Sequence, residues 1–145
     1  AMNRTKSLLP ARQEYLLEAP LELLHQESLE WLREIDFWKD EAAFFYSLMW
    51  KRSAANAFLR TTQAKKIQQH LVYLTAERLD DLKLETRGHE KMLSRLLDKS
   101  NADQRAYREK HKALAVRMHA TEKEFRLLKK KIFTLAKSKP RSILS

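Results

Sequence analysis

The sequence predicts an all-α fold: an antiparallel, up-down-up bundle of three long, coiled-coil-like helices, with room for a short N-terminal helical turn. Three observations predict it. The chain holds one Gly and three Pro in 145 residues, too few for the turns of a sheet protein. Its prolines stand at positions 10, 20 and 140, which leaves 119 residues free of any helix-breaking imide. Between them, apolar residues recur at alternating steps of four and three, the spacing of a heptad seam.

The first helix is expected to start at Pro20, a residue favoured in the first turn, and to end near Arg52. Its seam reads Leu24, Ser28, Trp31, Ile35, Trp38, Ala42, Phe45 and Met49. From Ser53 to Arg60 the periodicity weakens, and Thr61 or Thr62 can cap a second helix by accepting a backbone N–H bond. That helix reads Val72, Thr75, Leu79, Leu82, Thr86, His89, Leu93 and Leu96, with a second stripe of Ala64, Ile67, Leu71 and Leu74 beside its first half. Its stop is expected between Asp98 and Asn101. Ser100 or Asn101 can cap the third helix, and Asn101 has Gln104 at capping-box spacing. The third seam is Tyr107, His111, Leu114, Met118, Thr121, Phe125, Leu128, Ile132 and Leu135. The domain organisation expected is an N-terminal segment over 1–19, in which Arg12–Leu17 can add a helical turn, the bundle over 20–137 and a polar tail over 138–145. At about 1.5 Å per residue, helices of this length make a rod on the order of 50 Å long.

Composition limits the function classes. Cys is absent, which excludes disulfides and thiolate metal sites. Leu8-Leu9 is too short for the apolar core of a signal peptide and no stretch reaches 18 uncharged apolar residues, so the expected location is the cytoplasm. Ala1 ahead of Met2 reads as a remnant and carries no argument. No glycine-rich phosphate loop or nucleophile motif is present, and the lone Gly88 falls inside a helix, so an enzyme is not expected and no cofactor is called for.

Three features depart from a plain apolar bundle. The first is apolar excess: Phe37, Phe44 and Leu48 form a second face on the first helix, matched by Ile67, Leu71 and Leu74 on the second. Such a face serves either a wider core or a partner, most simply a second copy in a homo-dimer or another helical protein. The second is a polar level. A turn near residue 100 places His89 opposite His111, and folding the first helix back near residue 56 brings Leu24 and His25 to the same height. With Glu22 and Glu85 each one turn before a His, the set Glu22, His25, Glu85, His89 and His111 offers zinc or iron ligand types. A hydrogen-bonded layer that fixes register uses the same residues.

The third is charge. The net charge is +10, with 8 basic against 9 acidic residues over 1–60 and 21 against 10 over 61–145. Lys123, Arg126, Lys129, Lys130, Lys131, Lys137, Lys139 and Arg141 gather around the end of the third helix. They suffice for sequence-independent binding of nucleic acid or another polyanion, or for a solvated surface. The acidic run Glu27, Glu30, Glu34 and Glu41 reads as the outward flank of the first helix, with Glu34 and Glu41 placed to pair with Lys or Arg of a neighbouring helix.

The segment Trp31-Leu-Arg-Glu-Ile-Asp-Phe-Trp-Lys-Asp-Glu41, with Gln69-His-Leu-Val and Gly88-His-Glu-Lys91, resembles a group of short, predicted-helical bacterial proteins of unknown function. The resemblance covers the first two helices and implies a helical fold without implying an activity. The function expected is therefore that of an interaction or scaffold protein that self-associates.

Overall fold

A computed structural model describes residues 19–96 and 101–137. Among them the chain is all-α, with no strand. Helix α1 spans Leu21–Arg52, α2 spans Thr62–Tyr73, α3 spans Asp80–Ser94 and α4 spans Asn101–Lys137. A π-helical segment, Leu74–Leu79, joins α2 to α3 without a break, and a 3₁₀ turn, Ala57–Arg60, precedes α2. No helix is long and apolar enough to cross a membrane, among the described residues.

Local chemistry sets these boundaries. The carbonyl of Pro20 accepts from Leu23 and Leu24, so the proline stands just ahead of the first turn of α1. Past Arg52, the Arg60 guanidinium donates to the carbonyls of Ser53 and Ala54, satisfying acceptors that a helix C-terminus leaves open. Asn56 caps the 3₁₀ turn through Phe58 N at 2.9 Å, and Thr61 caps α2 through Ala64 N at 3.1 Å. Helix α3 ends at Ser94, a few residues before the stop expected from sequence. The expected cap Ser100, the side chain of Asn101, the turn over 12–17 and the tail lie outside the described residues.

Contacts divide the chain into two compact units. One holds the described residues up to Arg33 together with Leu84–His119, and the other holds Glu34–Lys83 with the chain from Ala120 onward. The α1 and α4 seams are buried at every position expected, whichever unit holds them. In the first unit Leu24, Trp31, Tyr107, Leu114 and Met118 are core, together with the polar Ser28, Thr86, His89 and His111. In the second the core is apolar, built on Ile35, Phe45, Met49, Leu71, Phe125 and Ile132, with Thr121 its one buried polar residue among those described.

The seam of the second long helix departs from expectation. Val72 is 48% exposed and Thr75 only half-buried, while Ala64, Ile67, Leu71 and Leu74 are buried. The core line therefore runs Ala64, Ile67, Leu71, Leu74, then Leu79, Leu82, Thr86 and His89. Steps of three and four hold throughout except for the five from Leu74 to Leu79, the span the π-helical segment occupies. A helix that skips one residue in a heptad pattern would rotate its seam out of the core by about 100°, and the wider π turn absorbs that residue. Extending the Leu79–Leu82 spacing backward as regular α-helix selects Val72 and Thr75, which is why the periodicity misplaced them.

Candidate functional site

The polar level lies in the first unit and is a connected chain. His111 Nε2 is 2.8 Å from a Glu27 carboxylate oxygen, and His111 Nδ1 is 2.9 Å from His89 Nε2. The Ser28 hydroxyl is 3.5 Å from the same Nδ1. Trp31 stacks on His111 at 4.4 Å, and Tyr107 stacks on His89 at 4.1 Å with nearly parallel rings. Residues 3.6 per turn apart on facing helices deliver these groups to one height, as the spacing about residue 100 predicts for His89 and His111.

Tautomers follow from the partners. The ionised Glu27 can only accept, so Nε2 of His111 carries the proton. One hydrogen bond joins His111 Nδ1 to His89 Nε2, and His89 Nδ1 stands on the far side of its ring. That atom, the Tyr107 hydroxyl and Oε1 of Glu90 are buried without a hydrogen-bond partner among the described residues. Burial lowers the His89 pKa to about 3, reinforced by the charges of His111 and Lys110. Burial likewise raises the Tyr107 phenol, with Glu90 adding to the effect and Ser28 and Arg108 opposing it. The His89 imidazole and the Tyr107 phenol are thus neutral groups enclosed in the core, where His111 is fully buried and His89 4% exposed. The arrangement is a hydrogen-bonded polar layer within the core of the first unit.

The ligand set considered for a metal is not assembled. Among the described residues no group of three or more His, Asp or Glu side chains is placed to share an ion. His25 pairs instead with Glu90. Glu85 is held by Lys110 at 2.8 Å and by Arg117, whose hydrogen bonds hold its carboxyl below the usual range. Glu22 is exposed and accepts from Gln26 one turn on. The carboxylate that meets the imidazoles is Glu27, which the pattern had assigned to the outward flank. Its separation of one residue from the seam position Ser28 was the available signal.

The second unit carries the aromatic face and the basic cluster. Phe37 and Phe44 are 59% and 61% exposed on one face of α1, with Leu48 half-buried beside them. Phe44 meets Phe45 edge-on, and Phe45 meets Phe133 of α4 likewise. Ile67, Leu71 and Leu74, expected opposite them, belong to the core because the skip at Leu74–Leu79 turns that stripe inward. An apolar cleft of about 260 Å³ lies along α1 and the π segment at Ala43, Tyr46, Val72 and Ala76. Another, of about 320 Å³, lies between α2 and α4 over Ala120, Leu127 and Leu128, bordered by His70, Lys123 and Lys131.

Of the basic cluster, Lys123, Arg126, Lys130, Lys131 and Lys137 are exposed, while Lys129 turns to Glu41 at 3.3 Å and lies over the Phe125 ring. Glu41 thus makes the interhelical pair its spacing predicts. Lys139 and Arg141 lie outside the described residues. His70 and Arg78 both hold Glu124, at 2.6 and 2.9 Å; burial alone would raise this carboxyl, and the two hydrogen bonds outweigh it to lower the pKa.

Compared with known protein families, curated proteins and solved structures, the chain has no match.

Proposed function

We propose that this protein is a non-enzymatic interaction module: an up-down-up bundle of three coiled-coil-like helices that self-associates through the aromatic flank of α1. The observation that carries the reading is the pair Phe37 and Phe44, seven residues apart and more than half exposed. Exposing two phenyl rings on one helical face forgoes on the order of 2 kcal/mol each of burial, which a partner recovers. The antiparallel course is supported inside the second unit by the ion pairs Asp36 with Lys83 and Lys39 with Asp80, whose numbers run in opposite directions. Inside the first unit, the pairing of His89 with His111 supports it.

Light scattering on the purified chain tests the proposal. A mass above one chain that falls to a monomer in Phe37→Glu/Phe44→Glu is the expected result. A monomer for the unsubstituted chain at every concentration overturns it. A second reading, polyanion binding, draws on the exposed Lys123, Lys130, Lys131 and Lys137. It calls for retention on nucleic acid that weakens steeply with salt.

A further inference from the structure

We infer that the aromatic stripe of α1 seats, in a second copy of the chain, on the cleft between α2 and α4, making the contact head-to-tail. The inference rests on the proposed self-association and names the surface that receives the stripe.

Opposite charges flank the two exposed apolar surfaces. Around Phe37 and Phe44, the charged positions one turn away are Arg33, Glu34, Asp40 and Glu41, and Arg33 is taken by Glu30. Glu41 is occupied by Lys129, whereas Asp40 is exposed and has no cationic partner among the described residues. The cleft floor of Ala120, Leu127 and Leu128 is edged by Lys123 and Lys131, and Leu127 is itself more than half exposed. Neither lysine has a carboxylate partner among the described residues, since the nearest acid on that face, Glu124, is held by His70 and Arg78.

A two-fold contact of the stripe with itself would set each Asp40 among the acids of the other copy. Like charges brought together at an interface cost several kcal/mol. Seating the stripe on the cleft replaces that repulsion with attraction and covers Leu127 as well as the two rings. The lengths also agree. Phe37 and Phe44 are separated by about 10 Å along their helix, and Lys123 and Lys131 by about 12 Å along theirs. A cleft of about 320 Å³ is of the size that encloses a side chain or a small ligand. Because the two surfaces differ, each associated pair keeps one free stripe and one free cleft until a ring closes or a chain of copies grows.

The test is a charge swap read by sedimentation velocity, with circular dichroism showing that each variant keeps its helical content. Lys123→Glu/Lys131→Glu and Asp40→Lys should each weaken self-association about tenfold or more, because each turns an attraction into a repulsion. An equimolar mixture of the two variants should associate again, since every contact between them is once more of opposite sign. If the unsubstituted chain associates and the lysine variant does so equally well, the cleft is not the receiving surface, while self-association through α1 stands. If the unsubstituted chain is a monomer throughout, both readings fall. If the lysine variant loses only retention on nucleic acid, these lysines serve a polyanion and the head-to-tail contact is overturned.

Discussion

Among the described residues, the first unit buries Ser28, Thr86, His89 and His111 beside its apolar residues, whereas the second buries Thr121 alone among a run of Leu, Ile, Phe and Met. The same three-and-four spacing thus supports two kinds of interior. Non-directional burial stabilises the second, and any residue of similar volume would serve. In the first, directional bonds join Glu27, His111 and His89, and a shifted register would leave their buried polar atoms unpaired. Burial holds both interiors, and the first adds directional bonds to it.

Truncating the second core is the strongest way to break that contrast. Leu74→Ala removes a fully buried side chain beside the π turn and should cost about 3 kcal/mol in urea unfolding. A loss below about 1 kcal/mol would mean that the core there collapses around the gap.

Acid should act next, and on the first unit. His89 is neutral in the fold, with its pKa held down near 3, while in the unfolded chain it titrates at an ordinary value near 6.5. The unfolded state therefore binds the proton first. The contribution of His89 to stability is complete above pH 6.5 and is lost as pH falls toward 3, at up to about 1.4 kcal/mol per pH unit. Glu27, Lys110 and the stacked Tyr107 surround the pair and set its field. Unfolding free energies measured between pH 7 and 5, above the titration of the carboxylates, should slope less in His89→Gln than in the unsubstituted chain. Equal slopes would show that His89 does not carry the dependence.

The smallest effect has the opposite sign. The Tyr107 hydroxyl is buried and, with Ser28 its nearest polar influence, completes no hydrogen bond among the described residues, so Tyr107→Phe keeps the stack on His89 and discards a desolvated polar group. Thermal unfolding should register a gain of about 1 kcal/mol. A loss of stability would show that the hydroxyl has a partner, such as an enclosed water.

Much of this architecture was legible from the residues. The α1 and α4 seams repeat without interruption, so counting threes and fours placed every core residue from Leu24 to Met49 and all but Ala115 from Tyr107 to Leu135. The facing of His89 and His111 followed from the position of the turn. Periodicity could not decide which of two stripes on the second long helix turns inward, because that choice depends on one extra residue between Leu74 and Leu79. Nor could it separate ligands from ion-pair partners. Glu85 stands one turn before His89 and yet points to Lys110 and Arg117, while Glu27 and Glu90, unremarkable in the pattern, meet the imidazoles. Carboxylate direction is fixed by the helix across the gap, and spacing within one helix holds no record of it. The exposed Phe37 and Phe44 were visible as apolar excess, but the cleft on α4 was not, since a concave surface arises only when two helices meet.

The π turn also defines where this chain can change length. Removing any one residue of Thr75–Arg78 would leave Leu74 and Leu79 four apart, continuing the regular spacing on both sides and letting an ordinary α-helix run through. The same deletion made in the middle of α4 would turn every following core side chain by about 100°. The four residues between Leu74 and Leu79 are thus a splice point, at which the lineage of this sequence could gain or shed a codon while both halves of the helix kept their facing.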